Sequence, residues 1–141
     1  MKNDTASPWL VFHDHIGVVH SVFAEAGPEL ERLGLPDGKA LFLLLAVESS
    51  SYPAEVARWL MLPKPTVTYL IKRAETAGHL TRKPDPDDRR RARLELTRRG
   101  RTAAERGRAV LDDIFGSRLA ELTAAERRGF VAAVRAMSGG G

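Results

Sequence analysis

The stretch "DPDDRRRARLELTRRG", residues 85–100, crowds opposite charges into one short segment. Asp85, Asp87 and Asp88 run into Arg89, Arg90 and Arg91, and an alternating run from Ala92 to Leu96 follows. Guanidinium groups gathered on a hairpin tip suit the negative potential of a DNA minor groove. A mobile tip would aim them poorly, but a carboxylate two residues away can hold one by a bidentate pair. Asp88 and Arg90 have that spacing. Asp88 is therefore expected to brace Arg90 as the inserted tip, with Arg89 and Arg91 nearer the phosphates. Pro86 would set the turn, and Asp85 and Asp87 suit turn positions.

A second group precedes it in "KPTVTYLIKRAETAG", residues 64–78. Val67, Leu70, Ile71 and Ala74 share one helical face, leaving Thr66, Thr68, Tyr69, Lys72 and Arg73 on the other. Starting from Lys64 and Pro65, the early residues would enter a major groove, where hydroxyls and an aromatic ring can reach base edges. Lys72 and Arg73 are expected to neutralise phosphates.

Both groups need elements that position them. Helical spacing of Leu10, Ile16, Val19, Phe23, Leu30 and Leu33 predicts a long first helix over 9–33. Ser7 would cap it, Pro8 suits its first position, and Gly27-Pro28 should bend or interrupt it. The run "ALFLLLAV" predicts a central helix over about 37–49, buried on nearly all sides. A short helix over 53–60, the turn "MLPK" and a helix over 64–77 make a helix-turn-helix, with Gly78 as its stop. Residues 79–84 and 91–97 alternate as half-buried strands do, so the charged stretch between them is a hairpin tip. Thr97 would cap a helix over 98–121, with Ala103, Val110, Ile114 and Leu122 among its apolar positions. Thr123 and Glu126 form a capping box for a last helix. "SGGG" reads as a floppy tail. The fold class is thus mainly α with a small β-hairpin wing, a winged helix-turn-helix.

Charge distribution agrees with a nucleic-acid surface. The chain of 141 residues carries a net charge of +4, but residues 64–108 hold 14 Lys/Arg against 6 Asp/Glu. That segment is +8 and the remainder −4, a basic stretch preceded by an acidic N-terminal part. There are no cysteines, which excludes disulfides and thiolate chemistry. Nothing resembles a signal peptide in the polar start Met1-Lys2-Asn3-Asp4. The longest apolar run, Ala40 to Val47, falls short of the roughly 20 residues that span a bilayer. A cytoplasmic protein without membrane contact is expected.

Other candidate groups are less ordered. His13, His15 and His20 crowd the first helix, and His79 opens the first strand. His13 and His20, seven apart, share a face and could meet an acidic effector. No H-x-x-E-H pattern or i,i+4 histidine pair points to a metal, and none is expected. Phe12, Phe23, Phe42 and Trp59, with Trp9, could line an aromatic pocket with His13 and His20, or simply pack in the core. An enzyme is not expected: there is no G-x-S-x-G, no phosphate-cradling glycine loop, and no required cofactor is implied.

From about Pro53 to Gly100 the chain resembles the MarR family of bacterial transcriptional regulators. Asp88, Arg90, Leu96, Thr97 and Gly100 carry the most specific part of that resemblance, the D-x-R wing followed by a strand ending in L-T. The resemblance implies a homodimer that binds palindromic double-stranded DNA, dimerises through its first and last helices, and answers to a small aromatic or acidic effector. It implies an N-terminal dimerisation helix over 1–36, a DNA-binding region over 37–100 and C-terminal dimerisation helices over 101–141, as one compact domain. Leu10, Ile114, Phe115, Leu119, Phe130 and Val134 would then lie at the dimer interface. Four positions depart from the family pattern: Met61 for a glycine, Pro63 for a serine cap, Tyr69 for an arginine and Ala74 for a leucine. The reading is a ligand-responsive repressor. The alternatives are a winged-helix protein-interaction module without DNA binding, and a protein that is mainly a small-molecule or metal sensor.

Overall fold

A computed structural model describes residues 6–139. Met1 to Asp4, read above as a polar start, and the last two glycines of the "SGGG" tail lie outside the described residues. Eight elements follow in order: α1 (Pro8–Arg32), α2 (Gly38–Ser49), α3 (Pro53–Leu60), α4 (Lys64–Thr76), β1 (Leu80–Pro84), β2 (Ala92–Leu96), α5 (Arg98–Ala120) and α6 (Ala124–Met137). No helix among the described residues is long and apolar enough to cross a membrane.

Helix boundaries follow local chemistry. Asp37 accepts from the Ala40 amide at 2.9 Å and starts α2. Thr97 accepts from the Gly100 amide at 3.0 Å and starts α5. Thr123 and Glu126 complete a reciprocal capping box on α6. Gly78, with φ +79°, supplies the left-handed turn after α4. Ser7 precedes α1 but makes no side-chain cap, contrary to expectation.

The expected interruption of α1 at Gly27-Pro28 does not occur, and the helix runs through Pro28. Pro28 is exposed, so the carbonyl it leaves unpaired faces water, while Ala26 and Leu30 are buried and fix both flanking turns.

The core is one continuous cluster. Leu41, Leu43, Leu44, Ala46 and Val47 of α2 are buried on nearly all sides. Around them pack Leu30 and Leu35, Val56 of α3, Val67, Leu70 and Ile71 of α4, Leu80 and Leu94 at the wing base, and Ala103 and Ala104 of α5. Each fully buried leucine contributes roughly 1.5–3 kcal/mol. The cluster continues across positions 36 and 100, so the end of α1 and the start of α5 belong to the winged-helix core. Gly100 is required there: a Cβ at this position would strike the His79 carbonyl.

The two strands pair antiparallel, from Leu80 opposite Leu96 to Pro84 opposite Ala92. The expected half-buried alternation is absent from β1, whose residues beyond Leu80 are all exposed. The reason is that β2 is the strand that packs inward, with Leu94 buried and its other four residues half-buried, which leaves β1 as the exposed edge.

Candidate nucleic-acid interface

The turn between α3 and α4 sets the pose of the second helix. Met61 ends α3 in the left-handed region, at φ 55°, a conformation that glycine adopts most readily. Its amide and that of Leu62 close the helix onto the Arg58 and Ala57 carbonyls at 3.2 and 3.3 Å. Pro63 stands at the N-cap of α4 and offers no side-chain acceptor. A missing cap costs about 1 kcal/mol. Pro65, at the helix start, lacks one of the amides that would need capping, which offsets part of that cost.

On α4, Val67, Leu70, Ile71 and Ala74 are buried, as their spacing predicts. Lys64, Pro65, Thr68, Tyr69 and Lys72 are exposed, and Thr66 is half-buried. The Thr68 hydroxyl donates back to the Lys64 carbonyl at 3.0 Å. Among the described residues Lys64 and Lys72 have no ion-pair partner. Arg73 differs from expectation. It turns inward and donates two hydrogen bonds, 2.9 and 3.1 Å, to the Asp37 carboxylate, and its guanidinium lies 5.6 Å from the Tyr69 ring centre. Burial raises the Asp37 pKa, but the Arg73 hydrogen bonds and the Ala40 amide outweigh that and leave it below the usual value. Arg73 is thus committed to the start of α2.

In the wing, Arg89 and Arg90 are exposed, and among the described residues neither has a carboxylate partner. Asp88 does not brace Arg90 through its guanidinium. Its Oδ1 accepts from the Arg90 backbone amide at 3.0 Å, and its carbonyl accepts from the Arg91 amide at 3.0 Å. A short aspartate so close in sequence reaches the turn's own amides more readily than a side chain pointing outward. Arg91, expected near phosphates, instead stacks over the Tyr52 ring at 4.0 Å. Asp85 is buried and accepts from the Asp87 amide at 2.9 Å. The Asp87 amide, then the Tyr52 hydroxyl, hold its carboxyl below the usual range. Lower on the hairpin, Arg82 pairs with Glu75 at 2.9 Å and Lys83 with Glu95 at 2.8 Å.

Sequence reading missed two contacts: Asp37–Arg73, 36 positions apart, and Tyr52–Arg91. One local signal existed for the second. Tyr52 occupies the N-cap of α3, where short polar residues are preferred, so another role had to place it there.

The residues expected around an effector divide. Phe23 and Phe42 meet edge-on at 5.4 Å and line a cavity of about 350 Å³ with Val18, Val22, Phe115 and Leu119. Phe12, His13, His20 and Trp59 do not join it. Trp9, also considered for that pocket, is likewise exposed and packs against His13, 5.6 Å between ring centres. Val22, Ala26 and Leu30 define the inward side of α1, and His13 and His20 lie exposed elsewhere on it. Trp59 faces outward from α3 because Val56 and Ala57 take the inner side. Among the described residues no three His, Asp or Glu side chains gather as a metal site. His79 is buried between α4 and α5. Burial, then the Arg99 charge, push its pKa below the ordinary value, so it packs as a neutral ring.

Of the expected interface residues, Leu10 is exposed, and Ile114, Phe115, Leu119, Phe130 and Val134 are half-buried. The Phe115 and Phe130 rings lie 6.2 Å apart, and α6 has no buried residue.

Residues 33–91 match the model of the MarR family. No curated protein sequence matches the chain. Among solved structures, the S. aureus MepR–DNA complex is similar over 94% of this chain and 97% of its own, with TM-score 0.80 and 20% identity. A Mycobacterium tuberculosis MarR family protein, RV2887, in complex with p-aminosalicylic acid, is similar over 94% and 99%, with TM-score 0.70 and 25% identity. The organohalide-sensing regulator RdhR in its 2,4-dichlorophenol-bound form is similar over 97% and 86%, with TM-score 0.78 and 16% identity. The central segment, residues 33–91, thus matches the MarR family model, and the six helices and two-stranded wing share the fold of these solved structures.

Proposed function

We propose that the protein is a homodimeric repressor that binds a palindromic duplex and releases it when an aromatic ligand binds. The observation that carries the DNA part is the pair of unpartnered arginines, Arg89 and Arg90, on a wing beside an exposed α4 face of Lys64, Pro65, Thr68, Tyr69 and Lys72. In this reading α4 lies in the major groove and the wing reaches the adjacent minor groove. Two copies would place their α4 helices one helical turn apart, about 34–36 Å.

Two apolar surfaces support the dimer. Trp9, Leu10, Val11, Phe12 and Ile16 are exposed along the first half of α1, and α6 leaves its apolar residues at most half-buried. So large an apolar surface marks an association site. Residues 1–36 and 101–141 would supply that interface and residues 37–100 the DNA contacts.

The cavity between α1, α2 and α5 supports a ligand site. Its lining is nearly all apolar, with Asp112 its charged member and no cation among the described residues. An uncharged aromatic, such as a phenol, suits it better than a carboxylate, which would find no counter-charge there. MepR is solved with DNA, RdhR with 2,4-dichlorophenol and RV2887 with p-aminosalicylic acid, so relatives of this fold bind both kinds of molecule.

Selection of random duplexes by the purified protein tests the reading. A two-fold symmetric consensus is expected. Lys64, Lys72, Arg89 and Arg90 from each of two protomers give a slope of log affinity against log salt of about −7. Recovery of no sequence, with binding no tighter than to bulk DNA, would turn the reading toward a protein-interaction module.

A further inference from the structure

We infer that the cleft between the end of α1 and the start of α5 is a second binding site, which takes a small molecule carrying one or two phosphate groups. Neither the DNA reading nor the aromatic-ligand reading uses this cleft.

Most basic residues between positions 64 and 108 already have a task. Arg73, Arg82, Lys83 and Arg108 pair with acids. Arg91 lies over Tyr52, and Arg101 donates to the Leu96 carbonyl at 3.2 Å. Lys64, Lys72, Arg89 and Arg90 are proposed for DNA. Of the four that remain, Arg93 is half-buried on β2. The other three, Arg98, Arg99 and Arg106, line one cleft together with Arg32 and Gly34 from the end of α1.

The period of α5 brings them together. Arg99 and Arg106 lie seven apart on one face, and Arg98 flanks them. None of the three has an ion-pair partner among the described residues. Arg32 pairs with Glu29, so Glu31 is the one acid in the lining. Three arginines around an open space of about 640 Å³ repel one another, and an anion between them relieves that repulsion. Guanidinium groups meet phosphate oxygens in pairs. α5 starts at Arg98, so the positive end of its dipole adds to the same place. The volume is that of a small-molecule site.

A separate observation lies behind the cleft wall. His79 is 2% exposed, and its Nε2 has no hydrogen-bond partner among the described residues. A Cβ on Gly34 would stand 3.5 Å from that nitrogen, so this edge of the ring faces a residue of the cleft lining. The Arg99 charge is felt there, since after burial it is what pushes the His79 pKa down. An anion held by Arg99 would therefore be sensed at the end of α4.

Position favours a small ligand over the DNA backbone. Leu80 and Leu96 pair at the inner end of the hairpin, and Arg98 follows directly. Arg89 and Arg90 lie beyond Pro84 and Ala92, at least about 13 Å further along the strands. The cleft is thus at the end of the hairpin opposite to the one proposed for DNA.

Pyrophosphate, titrated by calorimetry at constant ionic strength, tests the site. A dissociation constant of about 0.1–1 mM is expected, for three charge-assisted contacts discounted by their exposure. Arg106→Gln keeps a helix-forming residue at an exposed, unpaired position and should weaken binding by about five- to tenfold. Arg58→Gln, exposed on α3 and outside the lining, should leave it unchanged. Bound pyrophosphate should also raise the His79 pKa, followed by nuclear magnetic resonance, by offsetting the Arg99 charge. Equal weakening by both substitutions, or saturation with no response at His79, would show diffuse attraction to a basic surface and overturn the site. So would the absence of saturable binding. Duplex affinity should be the same for Arg106→Gln and the unmodified protein. Weaker duplex binding, with a salt slope shallower by about one per protomer, would give the cleft to the DNA backbone and overturn the small-ligand assignment. The pyrophosphate outcomes decide the site whether or not the protein binds DNA.

Discussion

On α4, an acidic residue turns a cation inward: Arg73 is held by Asp37, while Lys64 and Lys72 have no ion-pair partner among the described residues. On the wing the acids do the reverse. Asp85 and Asp88 bind backbone amides of their own turn, and Arg89 and Arg90 project without partners. Both regions contain Asp and Arg, but one spends the pair on fixing a helix and the other spends the acids on shaping a turn. The difference teaches that charge content alone does not locate a DNA contact. What matters is whether an arginine's hydrogen bonds are already taken inside the fold.

The largest expected effect breaks that comparison at the wing. Arg90→Ala should weaken operator binding by about 1–3 kcal/mol, roughly 10- to 100-fold at fixed salt. The fold should be untouched, because the Arg90 side chain makes no contact that holds the turn. Its backbone amide, the group Asp88 binds, is kept by alanine. Fluorescence anisotropy at one salt concentration is enough. An unchanged affinity would mean that the exposed arginines are merely solvated.

A smaller effect sharpens the comparison at α4. Asp37→Asn keeps a good N-cap for α2 but removes the charge that holds Arg73. Arg73 would then be free to meet a phosphate, so the salt dependence of DNA binding should steepen by about one unit per protomer. Stability should change by no more than about 1 kcal/mol, since the pair is partly exposed. The pH dependence has a definite sign. The folded Asp37 pKa lies below its unfolded value, so its contribution is present above pH about 4 and disappears as pH falls through the folded pKa. Acid unfolding of Asp37→Asn should lack that part of the curve. A salt slope identical to that of the unmodified protein would show that Arg73 cannot reach DNA even when released.

How much of this was legible in the sequence depended on the range of the contact. The short helix Pro53–Leu60 and the Thr123/Glu126 capping box were readable because their signals lie within a turn of the residues they govern. The buried face of α4 followed from spacing alone. Spacing also placed His13 and His20 on one face of α1, but nothing in a period says which face turns inward. Of the bend or interruption expected at Gly27-Pro28, the interruption does not occur, because the cost of an interior proline depends on its surroundings, which is a tertiary fact. Asp88 was assigned the Arg90 guanidinium when the Arg90 amide was the better partner. Arg73 with Asp37, and Tyr52 with Arg91, join positions 36 and 39 residues apart, and no local pattern encodes them.

The smallest expected effect concerns the turn that joins α3 and α4. Met61 adopts φ 55°, where a side chain clashes with its own backbone and costs about 1 kcal/mol relative to glycine. Glycine carries an opposing term, because it gives the unfolded chain more freedom, worth about 0.4–1 kcal/mol. Packing does not decide the sign, since Met61 is 88% exposed and buries little. The strain should win narrowly. Met61→Gly is expected to stabilise by roughly 0.5 kcal/mol, a rise of one or two degrees in melting temperature for a chain of this size. Operator affinity should stay within experimental error, because the backbone already has the conformation that glycine prefers. A melting temperature that falls would place a stabilising contact on the methionine side chain. An affinity that drops without loss of stability would give that exposed side chain a contact with DNA and add the turn to the binding surface.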